Sequence, residues 1–300
     1  MSKGHANYFN AKLKNKKYDF LIAPAASGEI AFLKTDIPII YITDGTFAGC
    51  LNYHKNLSNL AAWAIKEGNS IEQRAIDNSK LVIVSSQWAA KSVINDYRAS
   101  SEKVKVIPYG ANFEILPDSI SENEIPREWK LLFVGVYWES KGGDIAFNAF
   151  KILADKYPNI HLTVLGCTPP DNTTHPRLSV IPFIDKNNKE GQKKLFEIYK
   201  AHHFIILPTR FDCTPIVINE ASAFGIPCLV ADTGGVKGHL HEGVNGWLID
   251  YNDTGKGYAE KIEALMNNPQ QYIELRKTTR KEYLSTLNWQ HWISELQKLL

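Results

Sequence analysis

LLFVGVYWESKGGDIAFNAFKILADK, residues 131–156, decides the fold class of this chain. Its first six residues form an apolar run of the length and composition expected for a strand buried on both faces. Lys141, Gly142 and Gly143 interrupt the run with a turn, where glycine lets the backbone reverse tightly. From Asp144 the period lengthens to that of a helix over 144–156, with Ile145, Ala149, Ile152 and Leu153 on one face and Asp144 placed to cap it. Strand, turn and covering helix make one unit of an α/β sheet.

The same unit recurs on both sides. Toward the C-terminus, HLTVLG (161–166), LSVIPF (178–183), HFIILP (203–208), CLVAD (228–232) and GWLID (246–250) read as strands. Helices are expected near 189–201, 215–224 and 255–267, and the stretch 269–300 is expected to be helical throughout. Toward the N-terminus, YDFLIAPA (18–25), IPIIYIT (37–43), KLVIVSS (80–86) and VKVIPYG (104–110) are strands, with helices near 57–78 and 87–98. Between the two series, residues 115–128 turn polar and acidic and hold two prolines, the composition of a linker. Two doubly wound α/β domains with parallel sheets follow.

Length and charge agree with that division. Three hundred residues exceed what one core of about 250 residues serves, and 44% hydrophobic with 22% charged residues is a globular balance. With a formal net charge of +2, nothing global demands nucleic acid or a membrane as a partner, and no nucleic acid is expected. Four cysteines without a CxxC pair make neither a disulfide framework nor a zinc site, so reduced thiols and a cytoplasmic location are expected. No apolar run approaches the roughly 20 residues of a spanning helix. His202, His203, His239 and His241 lack a clear acidic third ligand, and no metal is expected. Lys12, Lys14, Lys16 and Lys17 form either a solvated face or a peripheral contact with anionic lipid at the inner face of a membrane.

Ligands of open parallel sheets bind beyond the carboxyl ends of the strands, so the loops there carry the function. After residues 131–136, Lys141 brings a cation to the Gly142–Gly143 turn and the helix start adds its own partial positive charge, a setting for a diphosphate. The same segment also serves as a capped helix with a solvated lysine. PTRFDCTPIVINEASAFGIPCLVADTGG (208–235) says more. Thr214 as N-cap and Pro215 at the first helical position start a helix. Within that apolar helix Glu220 is expensive to bury unless hydroxyls such as those of a ribose donate to it. Asp212 stands just before, so the two acids flank the helix start at Thr214, Pro215, Ile216 and Val217 and its free backbone N–H groups. Phosphates at the amides, ribose at one acid and hexose at the other would accommodate a nucleotide diphosphate-sugar. The plainer alternative makes Asp212 a loop acid and Glu220 a snorkelling one.

At these residues the chain resembles the family-4 group of retaining GT-B glycosyltransferases, whose hallmark is an acid, seven residues and then a glutamate. Asp212 stands where the family usually has glutamate, and Glu220 matches the second position. GVYWESKGGD resembles the family's diphosphate loop at Gly135, Lys141 and Gly142, but Val136 replaces its arginine, a charge that Arg210 or another cation would have to supply. The resemblance covers most of residues 18–300. It implies two facing Rossmann-like domains with parallel sheets: an acceptor-side domain over 1–114, a nucleotide-sugar domain over 128–285, and a helix over 286–300 crossing back. It implies that Asp212 orients the sugar, Glu220 holds the ribose and Lys141 stabilises the leaving diphosphate. The loop at Gly166 and the residues Phe183 and Ile184 would line the base, and Gly234 and Gly235 would let amides approach the donor. Asp44, flanked by Thr43 and Thr46, stands where the family has a histidine, and completes the expected catalytic set of Asp212, Lys141 and Asp44.

The implied reaction moves a hexose from a UDP- or GDP-type sugar to a glycan or lipid-linked acceptor, in polysaccharide biosynthesis and without a cofactor. Roughly three strands that precede YDFLIAP in the family are not found here, so the first domain is expected to be incomplete. An uncovered sheet edge would then invite a partner or self-association. A non-catalytic or partner-dependent sugar-nucleotide-binding fragment, and a sugar-nucleotide epimerase, stay open as alternatives.

Overall fold

The computed structural model describes residues 2–120 and 124–300, and the chain divides into two compact units, Met1–Pro108 and Tyr109–Leu300. The first unit runs α1 (Ser2–Leu13), β1 (Leu21–Pro24), α2 (Ser27–Ile30), β2 (Ile39–Thr43), α3 (Phe47–Cys50), α4 (Ala62–Asn78), β3 (Leu81–Val84), α5 (Gln87–Asn95) and β4 (Val104–Val106). Its four strands lie in the order β1-β2-β3-β4, all parallel. Tyr41, Val82, Val84, Ala75 and Val93 join the strands to α4 and α5 in one core.

The second unit runs β5 (Trp129–Val134), α6 (Gly143–Lys156), β6 (Ile160–Leu165), β7 (Leu178–Ile181), α7 (Lys189–Ala201), β8 (Phe204–Leu207), α8 (Ile216–Ala223), β9 (Cys228–Ala231), β10 (Gly246–Ile249), α9 (Lys256–Met266), α10 (Pro269–Ser285) and α11 (Trp289–Leu299). The six strands are parallel in the order β10-β9-β8-β5-β6-β7. Successive side chains of a strand face opposite ways. Leu131, Phe133, Phe204 and Ile206 accordingly enter one core, while Leu132, Ile205 and Leu207 enter the other. Helices cover both faces, which is why these strands read as unbroken apolar runs.

All ten expected strands form, and each unit is α/β with an all-parallel sheet. Two local expectations are corrected. The stretch 269–300 is two helices, because Leu287 is fully buried between them and Asn288 caps the second by accepting from the His291 amide at 2.8 Å. Asp144 does not cap α6: Gly142 is the N-cap, in the left-handed region at φ +73°, and the Asp144 carboxylate accepts from the Trp138 indole at 2.9 Å instead. No helix among the described residues is long and apolar enough to cross a membrane.

Candidate functional site

In the second sheet the chain moves outward from β5 through β6 to β7, then restarts on the other side of β5 with β8. That reversal opens a crevice at the carboxyl ends of β5 and β8. The loops there pack backbone against backbone. A side chain on Gly142 would place its Cβ 2.0 Å from the Pro208 carbonyl oxygen, and one on Gly143 would enter the Trp138 ring. The Arg210 amide donates to the Ser140 carbonyl at 2.8 Å, tying the β8 loop to the β5 loop.

A cavity of about 550 Å³ lies over this crevice. Its wall takes Gly135 and Lys141 from the β5 loop, Gly166 from the β6 loop, Phe183 and Ile184 after β7, and Asp212, Thr214, Pro215, Ile216, Val217 and Glu220 from the β8 loop and α8. Eleven expected site residues thus meet in one place. Gly142, Arg210, Gly234 and Gly235 do not line it. Gly142 acts behind the wall, as described. Arg210 lays its guanidinium over the Tyr251 ring, 3.6 Å from the centroid. Gly234 has φ +51°, and the Gly235 amide donates to the Asp212 carbonyl at 3.0 Å, so this turn braces the acid from outside. Asp44 belongs to the first unit, at the carboxyl end of β2, beside Thr46, which caps α3 by accepting from the Gly49 amide.

Lys141 and Asp212 hold each other. The ammonium donates to Asp212 Oδ2 at 2.5 Å and reaches the Phe211 carbonyl at 3.4 Å. Burial pushes the Asp212 carboxyl up, against the pull of Lys141 and of a bond from the Thr214 amide. Glu220 is buried on α8 and also pushed up by burial, with Lys186 and the Tyr199 hydroxyl opposing the shift. Tyr199 donates to Glu220 Oε2 at 2.9 Å, and the Lys186 ammonium lies 3.8 Å from Oε1.

The start of α8 differs from expectation. Pro215 precedes the helix and no side chain caps it. With φ −76° and ψ +81°, Pro215 centres an inverse γ-turn in which the Ile216 amide donates to the Thr214 carbonyl at 2.9 Å. The locked φ of proline suits that turn, while its ring removes an N–H. Since the Thr214 amide serves Asp212 and Pro215 has no N–H, Val217 is left as the one of the three N–H groups without an acceptor among the described residues.

Sequence reasoning missed Tyr199 and Lys186. Tyr199 lies 21 residues from Glu220, and nothing in helical period reveals that pairing. Lys186 lies two residues beyond Ile184, the last residue expected to line the base, so extending that stretch by two residues would have found it. The histidines have structural partners: His202 bridges the Ile198 carbonyl and the Thr163 hydroxyl, and His203 accepts from the Lys130 amide. Burial pulls His202 down to about 4 and His203 to about 3. No group of three or more His, Cys, Asp or Glu among the described residues could hold a metal ion.

The profile of Glycosyl transferases group 1 matches residues 117–282, more than half of the chain. D-inositol 3-phosphate glycosyltransferase of Corynebacterium glutamicum (strain R) is 25% identical, the match covering 91% of this chain and 69% of that protein. Its counterpart in Mycobacterium sp. (strain JLS) is 24% identical, over 80% and 57%. Among solved structures, sucrose-phosphate synthase from Thermosynechococcus elongatus superposes with a TM-score of 0.75 at 17% identity, covering 98% of this chain and 76% of that one. HepE from Anabaena gives 0.72 at 16%, over 100% and 81%. These neighbours have the GT-B fold. With its profile match and with relatives of that activity, this chain belongs to the glycosyl transferases group 1, enzymes that move a sugar from a sugar nucleotide to an acceptor.

Proposed function

We propose that the chain transfers a hexose, with retention at the anomeric carbon, from a UDP- or GDP-type sugar nucleotide to a glycan or lipid-linked acceptor. Glu220 carries the reading. One of its oxygens takes the Tyr199 hydroxyl, while Oε1 has no hydrogen-bond donor among the described residues, and Glu220 lines the cavity. A carboxylate oxygen in a buried site gains most from donors, and the paired hydroxyls of a ribose supply two.

From that anchor the diphosphate extends toward Lys141, whose charge stabilises the leaving group as it departs. Asp212, released in part from Lys141 by the incoming phosphates, orients the hexose hydroxyls. The likeness of the Asp212/Glu220 segment to retaining enzymes supports retention. HepE has been crystallised with UDP-glucose, which makes that sugar the first donor to test. D-inositol 3-phosphate joins the acceptor screen on the strength of the relatives' name. No disulfide joins the cysteines among the described residues, and Cys167, Cys213 and Cys228 are buried, which suits the reducing cytoplasm where we place the reaction.

Calorimetric titration with UDP, GDP and ADP, then with their glucose conjugates, tests the donor site. Tight binding of one nucleotide, lost in Glu220→Ala, is the expected result; undiminished binding by that variant would remove Glu220 from the site. Anomeric NMR of the product checks retention. On the acceptor side, Asp44→Asn is expected to lower turnover at least tenfold while leaving donor affinity unchanged, as loss of an acid–base contribution does.

A further inference from the structure

We infer that Lys186 is a donor-binding residue, the second cation of the cavity, set to engage the phosphate adjoining the ribose of a nucleoside diphosphate; this rests on the donor reading of Glu220. The charged side chains of the cavity wall are Lys141 and Lys186 against Asp185, Asp212 and Glu220. Lys141 is already bonded to Asp212, and Arg210 is held on Tyr251 outside the wall. Without Lys186, one committed cation would face three acids, and a diphosphate would enter against net negative charge.

The placement of Lys186 is built rather than incidental. Asp185 accepts from the Asn187 amide at 3.0 Å and from the side chains of Asn187 and Asn188 at 3.1 and 2.8 Å. The Gln192 side chain, buried at 5% exposure, donates to the Lys186 carbonyl at 2.5 Å. Gly191 is pressed so closely on the Asp185 carbonyl that a Cβ would come within 1.8 Å of it. From this braced loop the Lys186 ammonium stands 3.8 Å from Glu220 Oε1, close enough for attraction and too far for a hydrogen bond. Its side chain is half exposed, so its three N–H donors stay available to a ligand. Once ribose hydroxyls occupy Glu220 Oε1, the phosphate joined to that ribose through one methylene and one oxygen lies within reach of a lysine.

Titration calorimetry at pH 8 tests this on wild type, Lys186→Met and Lys186→Arg. UDP, GDP and ADP are titrated first, followed by the nucleoside and monophosphate of whichever binds. Lys186→Met should weaken the mono- and diphosphate about tenfold to a hundredfold more than the nucleoside, the value of one charge-assisted bond, and Lys186→Arg should restore most of it. Equal loss for nucleoside and monophosphate would make Lys186 a mere support for Glu220 and overturn the inference. So would unchanged affinity for all three when Glu220→Ala abolishes binding, a result that leaves the donor reading standing. If wild type binds none of the three diphosphates, the donor reading falls and this inference falls with it.

Discussion

Lys141 and Asp212 bond at 2.5 Å with the acid almost fully buried, so neither side chain can be changed alone without consequence. Lys141→Met leaves a buried carboxylate without its cation and should destabilise the second unit by about 3 kcal/mol near neutral pH. Removing the ammonium lifts the folded-state value of Asp212, already raised by burial, still further above that of the unfolded chain. An acid so shifted loses stability as pH rises through its folded value, so the deficit should grow from pH 4 to pH 8. Denaturant melts at both pH values measure it, and an equal deficit at each would show that charge is not the cause. Lys141→Met with Asp212→Asn should recover most of the loss. Gly142→Ala meets a different obstacle, a left-handed φ of +73° with a carbonyl oxygen 2.0 Å from the new Cβ. It should cost about 3 kcal/mol or more. The Gly142–Gly143 pair was legible as a tight turn. That Pro208 and Trp138 fill the space of the missing side chains was not, because those contacts depend on the folded packing of the loops.

Among elements, α10 shows how a helix is tied to a loop far away in sequence. Glu282 on α10 bonds His241 in the loop before β10 at 3.1 Å, a bond that raises the histidine above 6.5 and lowers the glutamate below 4.5. The histidine's share of stability is present below its unfolded value and lost as pH rises through the folded one. The glutamate's share is present above its unfolded value and lost as pH falls. The tie is therefore strongest between about pH 4.5 and 6.5. His241 is 46% exposed, so solvent screening keeps the pair to under about 1 kcal/mol. His241→Gln should lower the melting temperature slightly at pH 5.5 and leave it unchanged at pH 9. The strands and most helices were legible, since short apolar runs and helical periods are local patterns. The break at Leu287 was not, because a continuous helical pattern hides a residue that tertiary packing draws inward. Nor was the γ-turn at Pro215: a hydroxyl before a proline looks like a capped helix until Asp212 claims the Thr214 amide.

Over the whole molecule, the cavity lies in the wall of the second unit, and its loops come from β5, β6, β7 and β8. A nucleotide at a hundred times its dissociation constant should stabilise that unit by about 2.7 kcal/mol. Hydrogen exchange should then slow at residues 135–142, at 183–187 and at the start of α8; protection confined to other segments would place the donor elsewhere. By itself the sequence determined that the chain is α/β with two parallel sheets, and that Asp212, Glu220 and Lys141 belong to one end of the second sheet. Those conclusions rest on period, turn chemistry and acid spacing, all written in neighbouring residues. Only the tertiary structure decided which charges face each other: Lys141 with Asp212, Lys186 with Glu220, and Arg210 turned aside onto Tyr251. Such pairings depend on distances of a few ångströms between loops tens of residues apart, and burial, which sets their strength, exists only once the sheet has formed.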